Sequence, residues 1–239
     1  MIGSLLLGGL SFFMKDSLPA PARLRAELNE EPRQIAVQRA PLQAEVKGVQ
    51  YRIQPRFSYD LYGLVVSLHD SDAWWDYAHR EWGDHVNVVD FCVVWGENVR
   101  RDAYRALSYW NDQWTCWVKA GSTETWQAFD GTALSNNHLV TADAAVAREL
   151  RKVRIGDEVH FRGYLVDYSV MKDGAPAGMR VSSTVRTDTG NGACEVVFVE
   201  DFEVLASHNR WWNRGLKISF WILLASFIAW TLLPVKFND

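Results

Sequence analysis

An uncharged apolar stretch at residues 218–235 constrains this chain more than any other feature of its sequence. Its 18 residues carry no charged side chain, and a transmembrane helix needs about 20 mostly apolar residues, with about 17 as the lower limit. A buried core helix is the alternative, but lysines flank the stretch on both sides and can reach the lipid headgroups. We therefore predict a membrane span over residues 216–235.

The side chains predicted to face lipid belong to this span: Ile218, Phe220, Trp221, Leu223, Leu224, Phe227, Ile228, Trp230, Leu232 and Leu233. Aromatic and basic residues next to a span commonly sit at the membrane interface. The predicted interfacial anchors are Trp211, Trp212, Arg214, Lys217 and Lys236.

A second apolar segment, residues 1–14, lies at the other end of the sequence. The 13 residues from Ile2 to Met14 are too few to span a bilayer, and they fit a membrane-dipping segment or the apolar part of a signal peptide. Most signal peptides have a basic residue before the apolar region, whereas none precedes this segment. We therefore favour a retained, membrane-dipping segment.

The basic residues around the span bear on which side of the membrane holds the rest of the chain. Arg210, Arg214 and Lys217 precede the span and only Lys236 follows it, and an excess of Lys and Arg is typical of the cytoplasmic side. This favours a cytoplasmic domain at a bacterial inner membrane. If residues 1–14 act as a signal anchor, the domain is periplasmic instead, and both alternatives stay open.

The composition limits the classes of function. A net charge of −4 supplies no overall attraction to nucleic acid. The three cysteines form no CxxC pair, so a structural zinc site is not indicated. One disulfide is possible if the domain lies outside the cytoplasm. Twelve tryptophans are many for 239 residues, and tryptophan favours both membrane interfaces and protein interfaces.

Between the apolar ends we expect a proline-punctuated, extended linker over residues 15–56 and a globular domain over residues 57–206. Alternating and β-branched residues predict strands over residues 59–70 and 85–96. Apolar spacing predicts helices over residues 98–112 and 142–158, and the polar segment between residues 126 and 142 reads as a loop.

The fold class that follows is α+β: a small OB-like β-barrel or meander with several helices, plus the C-terminal transmembrane helix. Gly156, Val159 and Gly163 stand where such a barrel has a curved strand with a glycine that permits close approach. After this strand, a glycine-rich segment precedes a strand rather than a helix, so it is a turn and not a phosphate-binding loop. The predicted turn residues are Asp188, Gly190, Asn191 and Gly192.

Two long segments of the domain, SNNHLVTADAAVARELRKVRIGDEVHFRGYLVDY and SSTVRTDTGNGACEVVFVEDF, resemble a group of uncharacterised, membrane-anchored bacterial proteins. The resemblance extends over residues 55–204 and includes the segment from Asp90 to Gly96. It implies membrane anchorage and supplies no activity. The group usually has a basic N-terminal signal anchor, and the C-terminal span here is an addition to its pattern.

No catalytic, cofactor-binding or metal-binding residue is predicted. Histidines and aspartates crowd one window, but without the spacing that places two ligands on one helical face; they are His69, Asp70, Asp72, His79, Asp84 and His85. Cys194 or His138 would serve an enzyme, which is one alternative. An OB-like module that binds an oligonucleotide or another ligand is a second, although nucleic acid is disfavoured.

The function that the sequence favours is a membrane-anchored accessory or scaffolding subunit. It would stabilise a larger bacterial membrane protein assembly through protein–protein contacts, and its predicted partners are an integral membrane protein complex and the lipid bilayer.

Overall fold

The computed structural model describes residues 2–190 and 192–232. The chain divides into two compact units, one of which combines Met1–Ser17 with Ser207–Asp239 while the other spans Leu18–Ala206. Among the residues singled out above, Asn191, Leu233 and Lys236 lie outside the described ranges.

The secondary structure mixes helices and strands. The α-helices are α1 (Ile2–Met14), α2 (Ala78–Trp82), α3 (Gly96–Arg100), α4 (Thr123–Ala128), α5 (Ala144–Leu150) and α6 (Arg210–Leu232). The strands are β1 (Arg33–Ala36), β2 (Leu42–Val46), β3 (Val49–Asp70), β4 (Asn87–Val94), β5 (Leu107–Asn111), β6 (Cys116–Ala120), β7 (Leu134–Val140), β8 (Asp157–Lys172), β9 (Ala175–Arg180) and β10 (Glu195–Ser207). The predicted α+β class is confirmed.

The described residues of the larger unit form an eight-stranded sheet and a separate β5–β6 hairpin. Along the large sheet the order is β1-β3-β4-β7-β10-β8-β9, and β2 pairs with β3. The long strand β3 also pairs with β8 through 14 residue positions, so the pairings β3-β4-β7-β10-β8 return to β3. The β7–β10 pair is parallel, whereas β3–β4, β4–β7 and β3–β8 are antiparallel.

The largest core cluster packs side chains from these five strands against one helix. It contains Phe91 of β4, Leu139 of β7, Phe161 of β8 and Val197 of β10, and Leu150 of α5 covers it. Burial of large apolar side chains of this kind stabilises a fold by about 1.5–3 kcal/mol each relative to exposure. The N-cap of helix α5 is Asp143, whose carboxylate accepts hydrogen bonds from the backbone N–H groups of Ala145 and Val146.

Residues 15–56, expected to be an extended linker, carry β1, β2 and the first part of β3 instead. Leu28 in this segment is fully buried and packs with Tyr104 and Phe129. The phenol of Tyr104 donates a hydrogen bond to the carbonyl of Pro19. The prolines do not detach the segment, since Pro55 lies within β3 opposite Val166 of β8.

Two secondary-structure predictions are wrong. The helix predicted over residues 98–112 ends at Arg100, and β5 follows with Trp110 stacked on Trp117 of β6. The segment read as a loop contains β7, a strand that lies between β4 and β10 and is almost entirely buried. Its sequence, LSNNHLV, lacks the composition of a central strand, because four polar residues precede the buried Leu139 and Val140.

Glycine permits one close approach in β8. A Cβ atom added to Gly163 would lie 1.9 Å from the carbonyl oxygen of Phe198 in β10, so no other residue fits there without a shift of the backbone. Gly163 thus has the role that the sequence pattern assigns to it.

The glycine-rich segment before β10 turns the chain back onto the sheet. Gly190 and Gly192 have φ angles of +86° and +89°, a region that side chains with a Cβ disfavour. Ser183 donates a hydrogen bond of 2.5 Å to Asp188, and Ser182 accepts one from the backbone of Val196. These bonds fix the segment beside the start of β10.

The smaller unit contains α1 and α6. The described part of the chain has one helix long and apolar enough to cross a membrane, Arg210–Leu232. Its 23 residues extend about 34 Å at 1.5 Å per residue, compared with a hydrocarbon core of about 30 Å. At its start the guanidinium of Arg214 lies 5.3 Å from the ring centre of Trp211, so two of the predicted anchors contact each other.

Small residues let α1 and α6 approach closely. A Cβ atom on Gly8 would lie 2.8 Å from Ser219 Oγ, and one on Gly215 would lie 2.6 Å from Ser11 Oγ. Small residues of this kind are the usual contacts between helices in membranes. The side chain of Asn209 donates a hydrogen bond to the carbonyl of Ser17, which ties the end of the first segment to the start of α6.

Candidate functional site

Buried polar side chains gather on one face of β4 and β7. The strands pair so that Asp90 lies opposite His138, and Asn136 lies two residues before His138 on the same face. Both Asp90 and His138 are buried. Asn136 accepts a hydrogen bond from Asn111 of the hairpin and donates one to the carbonyl of Trp114, so the β5–β6 hairpin partly covers this face.

A chain of polar contacts runs through the face in one direction from His138. The ring Nε2 of His138 lies 3.2 Å from the guanidinium of Arg180. Arg180 in turn lies 3.5 Å from Asp84, which accepts hydrogen bonds of 2.7 and 2.8 Å from the phenol of Tyr168. Arginine has no acceptor, so His138 must accept through Nε2 and carry its proton on Nδ1.

In the other direction the chain of contacts passes through Asn87. Its amide nitrogen lies 3.1 Å from both Asp90 Oδ1 and His79 Nε2. The other ring nitrogen of His79 lies 2.6 Å from Asp76 Oδ2, and the same carboxylate oxygen lies 2.7 Å from His69 Nε2. We call the three side chains of His69, Asp76 and His79 the His-Asp-His cluster; all three are buried.

The centre of this network is not fully satisfied by the residues that the structure describes. His138 Nδ1 lies 2.7 Å from Asp90 Oδ1, but the N–H of His138 is not aligned for a normal hydrogen bond. Among the described residues, Asp90 Oδ2 and Asn87 Oδ1 also have no hydrogen-bond partner. Burial lowers the pKa of His138, and Arg180 lowers it further, against the opposite effect of Asp90. His138 is therefore neutral at pH 7.

A cavity of about 340 Å³ opens beside Arg180. Its walls are mainly aromatic and apolar: Trp82, Asp84, Trp114, Tyr168, Val170, Ala177, Gly178, Met179 and Arg180. The guanidinium of Arg180 lies 4.7 Å from the ring centre of Trp114, and Trp82 stacks on Trp114 at 5.0 Å. Asp84 already pairs with this guanidinium, which leaves the aromatic walls as the main binding feature of the cavity.

The segment between β3 and β4 exposes an unusual amount of aromatic surface next to this cavity. The exposed fractions are 86% for Trp74, 48% for Trp75, 67% for Tyr77 and 65% for Trp82. We call these four side chains the tryptophan surface. Single exposed apolar residues are common, whereas four large aromatic side chains within nine residues indicate a site of interaction.

A second buried polar group lies on the opposite face of β7 and β10. Glu195 stands opposite Asn137 in the parallel pair and contacts Arg186, whose guanidinium lies 5.1 Å from the ring centre of Trp95. Burial raises the pKa of Glu195 to about 7 despite the opposing effect of Arg186. Arg186 therefore has an internal partner and is not available to line a nucleic-acid surface.

The cysteines have separate roles in the structure. Cys92 of β4 and Cys116 of β6 form a disulfide across a sequence separation of 24 residues. It links the covering hairpin to the large sheet. Cys194 is free and partly buried, and burial raises the pKa of its thiol to about 11. A thiol of this kind stays protonated at neutral pH, which disfavours Cys194 as a nucleophile.

The structure brings together only part of the histidine and aspartate window. His69 and His79 meet at Asp76, whereas Asp70 and Asp72 contact Arg151 at the surface. Asp84 contacts Arg180 and Tyr168. Sequence reasoning missed Asp76, because it recognised ligand pairs by helical spacing and these three residues come from a strand end, a loop and a short helix.

No family model, curated protein or solved structure matches the sequence. The resemblance to membrane-anchored bacterial proteins therefore stays a prediction.

Proposed function

We propose that this protein is a membrane-anchored accessory subunit that binds an extracytoplasmic segment of an integral membrane protein through its tryptophan surface. The observation that carries the proposal is the exposure of Trp74, Trp75, Tyr77 and Trp82 on one segment of the larger unit. Tryptophan, tyrosine and methionine are enriched at protein interfaces, and tryptophan and tyrosine are common among the residues that dominate binding energy.

The anchor in this proposal consists of both α1 and α6. The apolar side chains of α6 are largely exposed, as expected for a helix that lies in lipid rather than in a protein core. Because α1 packs its small residues on α6, residues 1–14 are retained as part of the anchor. An anchored subunit meets its partner in the same membrane, which restricts the partner to a membrane protein or its complex.

The disulfide supports a location of the larger unit outside the cytoplasm. Disulfides form and persist in oxidising compartments such as the bacterial periplasm, and Cys92 and Cys116 are bonded. The basic residues at the start of α6 favour the opposite side. We give the disulfide more weight, since large folded domains cross the membrane largely regardless of their charge.

The strand pairings support a five-stranded barrel of the OB type. In chain order β3, β4, β7, β8 and β10 are its five strands, and the cycle β3-β4-β7-β10-β8 is a Greek-key arrangement. OB barrels bind ligands on the face of the second and third strands, together with the loops that join strands one to two and four to five. Here these parts are β4 and β7, the segment with the tryptophan surface, and the segment with β9.

This position favours a second candidate function, a module that binds a small ligand in the aromatic cavity. Trp82, Met179 and Arg180 line the cavity and come from those two connecting segments. Against an oligonucleotide stand the net charge of −4 and the pairing of Arg180 and Arg186 with internal acids. The likeness to an OB barrel supports a ligand site at this position, but it does not identify the ligand.

The test of the main proposal is purification of the full chain in mild detergent, with variants of the tryptophan surface. Trp74→Ala is the sharpest change, because this side chain is 86% exposed. Loss of a tryptophan that dominates an interface costs at least about 2 kcal/mol, or roughly 30-fold in affinity. We expect the wild type to retain a stoichiometric membrane protein and Trp74→Ala to lose it.

The matched control is Trp126→Ala, which removes a 51% exposed tryptophan from α4, outside the tryptophan surface. Retention of the partner by Trp126→Ala, with loss by Trp74→Ala, supports the proposal. Equal loss in both variants, or a wild-type protein that purifies as a clean monomer, contradicts it. The ligand alternative predicts that a Trp82→Ala change alters small-molecule binding while Trp74→Ala does not.

A further inference from the structure

The His-Asp-His cluster has the donor atoms and the convergence of a metal site. One ligand atom from each of His69, Asp76 and His79 lies within 4.8 Å of the other two. The exposed fractions of the three residues are 3%, 0% and 1%. His69 comes from the end of β3, Asp76 from the following loop and His79 from α2, so three separate pieces of backbone meet at one point.

The carboxylate of Asp76 is buried and has two histidines as its side-chain partners among the described residues. Asp76 Oδ2 faces two imidazole nitrogens at 2.6 and 2.7 Å, and no Lys or Arg in the described ranges pairs with this carboxylate. A buried carboxylate is costly without an opposite charge, and buried charges usually pair with an opposite charge or a metal ion.

We propose that His69 Nε2, Asp76 Oδ2 and His79 Nδ1 bind a divalent ion of the zinc class. Two imidazole nitrogens and one carboxylate oxygen are ligands that Zn²⁺ accepts, with a fourth position left for water. Calcium and magnesium prefer all-oxygen sites. Each imidazole binds the ion through the nitrogen that now faces Asp76, so the ring proton on that nitrogen moves through solvent to the other ring nitrogen. No net proton is lost, and the ion adds two positive charges beside the carboxylate.

Binding requires the three ligand atoms, which now lie within 4.8 Å of one another, to take the spacing of a tetrahedral site. With zinc bond lengths of about 2.0–2.1 Å, tetrahedral ligand atoms lie roughly 3.3 Å apart. The carboxylate oxygen therefore moves roughly 0.6 Å from each ring nitrogen. His79 would then carry its proton on Nε2, which faces Asn87. If the Asn87 amide rotates, its Oδ1, which has no partner in the described structure, can accept the hydrogen bond from His79. The amide then loses its hydrogen bond to Asp90.

The ion would stabilise the segment that carries the tryptophan surface. The ring of Trp75 lies 4.8 Å from that of His69, and the ring of Trp114 lies 4.3 Å from that of His79. Metal bonds to Asp76 and His79 fasten the end of the loop and α2 to His69 of β3. This role goes beyond the proposed function and does not depend on it, because the site can bind metal whether or not a partner protein exists.

The test uses the full chain in detergent, stripped with a chelator and then titrated with Co²⁺ as a spectroscopic substitute for Zn²⁺. We expect visible d–d absorption that saturates at one ion per chain and is displaced by Zn²⁺. Asp76→Asn and His79→Gln should each weaken binding by at least about 100-fold. His85→Gln is the matched control, because His85 is a nearby histidine outside the cluster.

Retention of binding by His85→Gln, with loss in the two cluster variants, supports the site. Near-ultraviolet circular dichroism on each variant identifies any that fails to fold. The wild-type titration decides the question even if both variants unfold, because a folded wild type without saturable Co²⁺ absorption overturns the proposal. Equal weakening by His85→Gln and His79→Gln also overturns it.

Discussion

The packing of α1 on α6 predicts a specific cross-link. A Cβ atom on Gly215 would lie 3.7 Å from the Cβ atom of Ser11, and the mean Cβ–Cβ distance in disulfides is about 3.8 Å. The double variant Ser11→Cys/Gly215→Cys should therefore form a disulfide upon mild oxidation in membranes. The variant is made in a Cys194→Ala background, which removes the free thiol of the described residues. A maleimide of high mass then labels any engineered cysteine that stays reduced, and the unlabelled fraction gives the yield of the disulfide.

A substitution at the same interface shows how much the steric fit contributes to the pairing of α1 and α6. In Gly8→Leu the new Cβ atom would lie 2.8 Å from Ser219 Oγ and 3.3 Å from Ser219 Cβ, and overpacking of this kind costs about 1–3 kcal/mol. The equilibrium constant between paired and separated helices should fall by roughly 5- to 150-fold, and the yield of the cross-link should fall with it. Gly9→Leu is the matched control, because a Cβ atom there meets nothing within 4 Å.

Two results would refute the reasoning about the anchor. Absence of the cross-link in the otherwise unperturbed double variant means that the helices are not paired as described. Equal loss of the cross-link in Gly8→Leu and Gly9→Leu means that steric fit at the small residues does not control the pairing. Mass spectrometry of the purified chain adds an independent check, because removal of residues 1–14 would eliminate the interface.

Three further predictions concern the larger unit. Cys116→Ser should lower the free energy of unfolding by about 3 kcal/mol, as expected for a loop of this length; urea denaturation checks this. Gly163→Ala should reduce stability by more than about 3 kcal/mol, since its Cβ atom would collide with the carbonyl of Phe198, whereas Gly121→Ala, with nothing within 4 Å, should change stability by less than about 0.5 kcal/mol. Burial raises the pKa of Glu195 from 4.5 to about 7, so the native state retains a proton that the unfolded chain releases between these values. Its contribution to the free energy of unfolding is greatest below pH 4.5 and falls by roughly 3 kcal/mol as the pH rises to 7; Glu195→Gln should remove this component from a pH series of unfolding curves, and an unchanged pH dependence would contradict it.

The elements that could be predicted from the sequence are those with a local signal. The apolar run in α6, the capped and alanine-rich α5, and the β-branched strands β4 and β10 all carry their structure in their own residues. Gly163 also follows from sequence, because a glycine inside a strand indicates a close approach or a bulge.

The misread elements depend on distant partners. The strand β7 contains Ser135, Asn136, Asn137 and His138, which read as a loop because they are polar. The side-chain partners of Asn136 and His138 lie elsewhere in the chain. Residues 107–111 have helical apolar spacing, but the hairpin with β6 and the Cys92–Cys116 disulfide hold them as a strand. In both cases tertiary contacts override the secondary-structure propensity of the local sequence.

The candidate site was even less accessible from sequence. The surplus of tryptophan is visible in the composition, but its concentration at one surface is not, because the cavity joins Trp82 and Trp114 to Arg180 across nearly 100 residues. The His-Asp-His cluster has no standard motif, and Asp76 looks like one acid among many until the fold places it between two histidines.

The central claim is that the tryptophan surface contacts a membrane protein in the cell. The most direct measurement replaces Tyr77, an aromatic residue that is 67% exposed, with a photo-crosslinking phenylalanine derivative and compares it with the same replacement at Trp126. We expect one prominent cross-linked membrane protein from position 77 and none from position 126. No cross-link from position 77, or the same products from both positions, would contradict it.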